Sequence, residues 1–373
     1  MRIAIVGVGL IGGSIGLAAH GRLGATVSGW SRSRSTLERA LELGAIDRAG
    51  DSLADAVHDA EAVFVCAPVG VLPEVVADVL AAAPADCVVT DAGSTKRSVV
   101  EAIDDPRFVG GHPLAGAETA GVDHARADLF HDATWYLTPT PGATGVLFER
   151  LHRLIRELGA RPATIDAATH DTMLAAVSHL PHVLANVLVA QAASALGDPT
   201  GGPASAGHVA GSGTPIGEQL PATGPSFRDA TRVAGANSAI WTDIYLANRD
   251  ALVEQLDGAV TRLNAVRAAL IAADPAAVTA WNDAARDDRR RLQEAQFAAG
   301  PLHELRVSVP NEPGVVATLA LELARAGVNI TDMALYPAPD HSEGVVALWI
   351  AGDEPAARAA SLVADRGHPV VRA

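Results

Sequence analysis

Ile3-Ala4-Ile5-Val6-Gly7-Val8-Gly9-Leu10-Ile11-Gly12 opens the chain with an apolar run, a glycine-rich turn and the start of a helical pattern. In such a turn the first glycine permits a tight bend, the second lets the backbone approach a pyrophosphate, and the third lets helix and strand pack closely. The helix beyond offers N–H donors and a positive dipole to an anion. A GxGxxG string alone says little; one that follows a strand and begins a helix is meaningful. Gly7, Gly9, Leu10, Ile11 and Gly12 are therefore expected to hold a dinucleotide.

Further strands are expected at Thr26–Trp30, Ala62–Ala67, Val88–Asp91, Phe108–Gly111, Thr134–Thr138 and Arg161–Ile165. Amphipathic segments such as Ser35–Leu43 and Gly145–Leu158 lie between them. This alternation predicts an α/β domain over 1–165 built on a Rossmann-type, doubly wound parallel sheet. The second strand ends in Trp30-Ser31-Arg32-Ser33-Arg34, without the acid that usually bonds the ribose 2′-hydroxyl. Arginine forks match a 2′-phosphate, so NADP preference or dual use is expected, with Ser31, Arg32 and Ser33 as contacts, unless the stretch is a solvated basic loop. Ala67 and Pro68, after the third strand, suit the adenine and ribose wall, although a proline that merely stops the strand explains them equally well.

Ligands of open α/β sheets bind outside the carboxyl ends of the strands. The fourth strand delivers Asp91-Ala92-Gly93-Ser94-Thr95-Lys96 to that edge. Ser94 can cap the following helix, alone or beside a site role. Lys96 is the single lysine among 27 arginines, which marks a position that needs a compact ammonium. The fifth strand delivers Gly110-Gly111-His112-Pro113. An imidazole there can take a proton near neutral pH, or it can simply bond a loop carbonyl. The loop after it, through Glu118 to Gly121, is long enough to form a site wall.

From 166 to 297 only helical patterns remain. Asp166 can cap a long helix that contains Ser178-His179-Leu180-Pro181-His182. His179 and His182 share a face, Ser178 lies near them, and Pro181 is expected to kink the backbone. Without a nearby Cys or acid to complete a ligand set, no metal is expected. Residues 198–225 are rich in Gly, Pro, Ala, Ser and Thr and read as a mobile loop or lid. Asp229 and Arg232 can pair on a helix, or Arg232 can clamp a carboxylate; spacing does not choose between these. Trp241 lies on the next helix, and the long amphipathic helices after it suit a homodimer interface. The last segment, 302–373, predicts βαββαβ, the ferredoxin-like order, with Asn311, Pro313, Gly314 and Asn329 in turns that can meet a small amino acid.

A length of 373 residues calls for two or three domains, and a net charge of -15 argues against a nucleic-acid partner. Cys66 and Cys87 lie in apolar runs and read as buried thiols of a reducing compartment. The first strand leaves no room for a signal peptide, and the apolar stretch Val183–Leu196 is expected to be too short for a bilayer. A cytoplasmic protein without a membrane partner is therefore expected.

With these motifs in order (GVGLIGGS, DAGSTK, GGHPLAGAE, SHLPH and FRDATRVA) the chain resembles the prephenate/arogenate dehydrogenases of tyrosine biosynthesis, and VSVPNEPGV resembles an ACT domain. The resemblance implies that His112 takes the proton of the substrate's C4 hydroxyl, that Ser94 orients both, that His182 is a second histidine near the substrate and that Arg232 grips a carboxylate. It also implies lesser parts for Lys96, Glu118, His179, Asp229 and Trp241, with Ser178 beside them, and feedback by L-tyrosine through 302–373. On this reading His112 and Arg232 converge on one six-membered ring. The glycine-rich stretch before FRDATRVA looks longer than the family pattern. Prephenate and arogenate both remain open as substrates. A β-hydroxyacid or imine reductase would leave SHLPH and the tail unexplained. A non-catalytic sensor of NADP and an amino acid is the rival of another class.

Overall fold

The computed structural model describes residues 1–116, 119–196, 224–296, 301–338 and 343–372. The chain divides into one compact unit of Met1–Asp171 with Thr261–Ala373 and another of Thr172–Val260. Glu118 and nearly all of the proposed lid lie outside the described residues.

The first unit holds an eight-stranded sheet of β1 (Arg2–Val6), β2 (Thr26–Trp30), β3 (Arg48–Ala49), β4 (Ala62–Val65), β5 (Val88–Asp91), β6 (Phe108–Pro113), β7 (Thr134–Pro139) and β8 (Arg161–Thr164). Its order is β3-β2-β1-β4-β5-β6-β7-β8, so the winding reverses between β1 and β4, where such sheets bind ligands. Val63 and Phe64 point to opposite faces and both are buried, as expected of a strand covered on both sides. The helices between strands are α1 (Leu10–Leu23), α2 (Arg34–Glu42), α3 (Leu53–Val57), α4 (Leu72–Ala82), α5 (Arg97–Ala102) and α6 (Gly145–Glu157). In α6, Leu147, Phe148, Leu151, Leu154 and Ile155 are buried at the spacing of one helical face.

The sheet is not wholly parallel. β6 and β7 run antiparallel, with His112 opposite Tyr136. A parallel return needs a crossover of a dozen or more residues, usually a helix. The described part of the connection carries only a 3₁₀ turn at Val122–His124.

The helical stretch comprises α7 (Ala167–Leu174), α8 (Leu180–Leu196), α9 (Pro225–Thr231), α10 (Ser238–Ala247), α11 (Arg249–Ile271) and α12 (Pro275–Gln296). Asp166, Asn237 and Asp274 accept the capping N–H bonds that their sequence positions suggest. Between α7 and α8 lies a π-helical turn, Ala175–His179, where the Leu180 N–H bonds back to the Ala175 carbonyl. Proline lacks an N–H and crowds the carbonyl four residues back. The π turn lies just before Pro181, and the helical run Ala167–Ala195 continues through both. Ala167–Ala195 spans 29 residues, long and apolar enough to cross a membrane by length and composition, which corrects the shorter estimate; 22% of its most apolar window is buried.

The C-terminal elements are β9 (Leu302–Pro310), α13 (Val315–Arg325), β10 (Ile330–Pro337), β11 (Glu343–Ala351), α14 (Asp353–Asp365) and β12 (Val370–Arg372). Their sheet order, β10-β11-β9-β12, is that of a ferredoxin-like fold. This domain packs on α6 and the loop before it. Gly314 has φ +85°, and a methyl group there would lie 2.0 Å from the Pro141 carbonyl oxygen. Gly145 faces Val316, Arg156 pairs with Asp332, and the buried His152 ring approaches the Ile330 carbonyl.

Candidate active site

The dinucleotide cradle begins where β1 ends. Gly7 has φ +96°, and a side chain there would strike the Cys66 carbonyl oxygen at 2.4 Å. A methyl group on Gly12 would lie 2.3 Å from the Gly7 oxygen, whereas one on Gly9 would meet nothing within 4 Å. The turn is thus closed against β4 and α1 but open at Gly9. No side chain caps α1 at its first turn. An open glycine before an uncapped helix start fits a dinucleotide pyrophosphate. Leu10 and Ile11 are half-buried in that turn, and Ala67 adjoins it through the Cys66–Ala67 backbone. Pro68 is exposed and opens a short 3₁₀ turn.

At the end of β2 the arginines and serines separate by role. Ser33 caps α2 by accepting the Thr36 N–H, and Arg34 lies within ion-pair range of Glu38 and Asp51. Ser31 is half-buried and Arg32 exposed.

β5 and β6 carry the second part of the site. His112 is 8% exposed, and its Nδ1 lies 2.9 Å from His170 Nε2. His170 Nδ1 lies 2.8 Å from Asp171 Oδ1. Asp171 also accepts the backbone N–H groups of Lys96 at 2.8 Å and Arg97 at 2.9 Å. This carboxylate, not Ser94, therefore caps α5; Ser94 is half-buried. Burial opposes ionisation of Asp171, but bonds from His170, Arg97 and Lys96 outweigh it and hold the carboxyl below its usual range. Burial pushes the His170 pKa down, despite its Asp171 partner. The Tyr136 ring meets His170 edge-on at 5.6 Å, and burial raises its hydroxyl pKa.

Lys96 is fully buried, with its ammonium on Asp91. Asp91 also accepts the Gly93 N–H at 2.8 Å and the Gly111 N–H at 3.0 Å. The ion pair ties the end of β5 to the backbone just before His112. Burial lowers the Lys96 pKa against the pull of Asp91. Enclosed in this way, Lys96 supports the strand ends through Asp91. Asp91, His170 and Asp171 were missed. Asp91 stood inside a quoted motif, and the adjacent His170-Asp171 pair lay one turn beyond the capping Asp166, where both passed for helix residues.

The second unit assembles the SHLPH and FRDATRVA residues. His182 stacks on Trp241 with ring centres 3.5 Å apart, and His179 meets the same ring edge-on at 6.1 Å. His179 Nδ1 lies 3.2 Å from Asn248 Nδ2, a buried contact. Burial lowers the His182 pKa and the nearby Arg232 lowers it further, against a hydrogen bond to the Val233 backbone. Ser178 is half-buried, while Asp229 and Arg232 are exposed. The histidines, Trp241 and Arg232 thus form one cluster around a π turn, a feature frequent at functional sites.

Of the expected effector residues, Asn311 and Pro313 line a cavity of about 240 Å³ with Val309, Val316, Tyr336 and Val346. Gly314 is buried, with its positive φ and close approach to Pro141 explaining the glycine. Asn329 is exposed and does not line that cavity.

A dinucleotide cradle and a nearly buried imidazole at the carboxyl edge of one sheet suit hydride chemistry, the work of NAD(P)-dependent dehydrogenases. Comparison with known proteins narrows that class. A family model described as "Prephenate dehydrogenase, nucleotide-binding domain" matches residues 16–164, and one described as "Prephenate dehydrogenase, dimerization domain" matches 166–202 and 204–281. The chain belongs to the prephenate dehydrogenase family. It is 30% identical to a prephenate dehydrogenase of Bacillus subtilis over 98% of this chain and 96% of that protein. It is 34% identical to a cyclohexadienyl dehydrogenase of Zymomonas mobilis over 82% of this chain and 98% of the other. The solved arogenate dehydrogenase of Synechocystis superposes with a TM-score of 0.63 at 27% identity, covering 78% of this chain and 100% of that one. Prephenate dehydrogenase from Aquifex aeolicus, solved with hydroxyphenyl propionate and NAD+, shares the fold at TM-score 0.67 and 24% identity, over 78% of this chain and 98% of that one.

Proposed function

We propose that this enzyme oxidatively decarboxylates prephenate to 4-hydroxyphenylpyruvate for tyrosine synthesis, with His112 as the base. The observation that carries the proposal is the hydrogen-bonded, nearly buried His112 at the carboxyl end of β6, in the sheet that bears the glycine cradle. When bound, the nicotinamide supplies the hydride acceptor. His112 takes the proton of the C4 hydroxyl as that carbon is oxidised. Loss of carbon dioxide from the opposite ring carbon sends its electron pair through the ring to the oxygen. His112 then returns the proton to the phenol oxygen, so no net proton is released. Ser94 orients the hydroxyl, and Arg232 grips a substrate carboxylate. The full-length relative named prephenate dehydrogenase supports prephenate. The arogenate dehydrogenase likeness keeps arogenate as the second reading. Initial rates with both substrates and both cofactors decide between them: prephenate turnover is expected, and turnover of arogenate alone would overturn it.

NADP preference rests on the missing acid after β2 and on Ser31 and Arg32. We further propose three functional segments, 1–165 for nucleotide, 166–297 for substrate and dimerisation, and 302–373 as an ACT-like regulatory domain that binds L-tyrosine. Asn311 and Pro313 at the cavity shared with Thr144–Val146 support regulation from that segment. A homodimer is favoured by the dimerization-domain match and by the exposure of Val260, Leu263 and Leu270. Covering of apolar helices by a second copy also suits a cytoplasmic enzyme better than insertion of Ala167–Ala195 into a bilayer.

A further inference from the structure

His170 and Asp171 are buried and have no part in the chemistry above. Asp171 is an acceptor-only carboxylate when ionised, so the 2.8 Å contact requires the proton on His170 Nδ1. A neutral His170 then presents a bare Nε2. The 2.9 Å contact between that atom and His112 Nδ1 requires the proton on His112 Nδ1. The lone pair of neutral His112 is thereby placed on Nε2. Each hydrogen bond in this chain fixes the next tautomer, and its far end is anchored by two backbone N–H groups, of Lys96 and Arg97.

We propose that His170 and Asp171 are positioning residues that fix the tautomer of His112, with Nε2 as the proton-accepting atom, and stabilise its protonated form during turnover. The inference rests on His112 being the base. As His112 gains charge, the buried carboxylate beyond His170 supplies the compensating negative charge, with the accepted proton remaining on His112. The charged groups nearest the chain are Lys96 and Asp91, already paired with each other, and Tyr136 flanks His170 as a neutral phenol.

The test uses the full-length enzyme and four variants: Asp171→Asn, His170→Gln, His170→Leu and His112→Asn. Rates of reduced-nicotinamide formation are recorded against pH, with cofactor binding and thermal midpoint measured beside them. Asp171→Asn is expected to lower kcat about 10²–10⁴-fold, the range for removing a base or its orienting partner. KM should change little. The acidic limb of kcat/KM should move to lower pH, because the imidazolium has lost its carboxylate. The Gln carbonyl can accept the His112 Nδ1–H, so His170→Gln should exceed His170→Leu in kcat by about tenfold or more, within the same range of effects. Equal kcat for these two variants, with an unmoved acidic limb, would make the pair merely structural and overturn the inference. If Asp171→Asn fails to fold because α5 loses its cap, the comparison at position 170 still decides. His112→Asn separates the layers: near-normal turnover there defeats the base assignment itself, whereas an inactive His112→Asn beside unimpaired position-170 variants overturns only the positioning role.

Discussion

Replacing Lys96 by methionine tests how the strand ends are held. Lys96 and Asp91 are both 0% exposed, and the carboxylate also accepts the Gly93 and Gly111 N–H groups. Removing the ammonium leaves a buried charge with two neutral donors. Breaking a buried pair from one side costs about 3–5 kcal/mol. At about 2–4 °C per kcal/mol for a domain of 150–250 residues, the thermal midpoint should fall by roughly 6–20 °C. Lys96→Arg should not restore it. Lys96 is 0% exposed, so the larger guanidinium would have to displace the side chains packed around it. Overpacking of this kind costs about 1–3 kcal/mol. Adding Asp91→Asn to Lys96→Met should recover a large part of the loss, because the stranded charge is then gone. Scanning calorimetry of the two single variants and the double variant measures the coupling. A Lys96→Met midpoint within a degree or two of the parent, or a double variant less stable than the sum of the singles, would refute the reasoning.

The seam beside the C-terminal domain should be acid-sensitive. Burial lowers the His152 pKa to about 4, while the Ile330 carbonyl and Asp332 act in the opposite direction. The folded seam therefore disfavours the protonated ring. Stability from this group is fully present above its unfolded pKa of about 6.5 and is lost as pH falls toward 4, on the order of 3 kcal/mol in all. His152→Leu should flatten the stability curve of the whole protein in that window; an unchanged curve would remove His152 as its cause. Gly314→Ala should disturb the same seam by forcing a side chain at φ +85° against the Pro141 oxygen. Faster proteolysis between the nucleotide and C-terminal domains is the expected readout, and parental resistance would contradict it. Ser31→Asp should shift the ratio of kcat/KM values from NADP toward NAD, and an unmoved ratio would leave the β2 end without a part in cofactor choice.

The strands and their glycine turn were legible because buried strands read as apolar runs and GxGxxG states a backbone requirement. The βαββαβ order was legible for the same reason, since each element carries its own periodicity. The antiparallel return of β7 was hidden because strand direction depends on the missing crossover and not on the apolarity of Thr134–Pro139. The π turn before Pro181 was hidden because no residue pattern marks the wider backbone ring. His112 stood out at a strand end. Its partners His170 and Asp171 come from 58 and 59 residues further along the chain, and no local pattern announces that meeting. Its rarity draws attention to Lys96, but rarity does not tell whether an ammonium faces a ligand or a buried carboxylate.

The claim on which the account turns is that His112 takes the proton from the substrate hydroxyl. Single-turnover formation of reduced nicotinamide by His112→Asn, with cofactor affinity verified on the same preparation, measures it most directly. Cofactor binding near that of the parent is expected, with a chemical step slowed about 10²–10⁴-fold. A chemical step within a few-fold of the parent would contradict it.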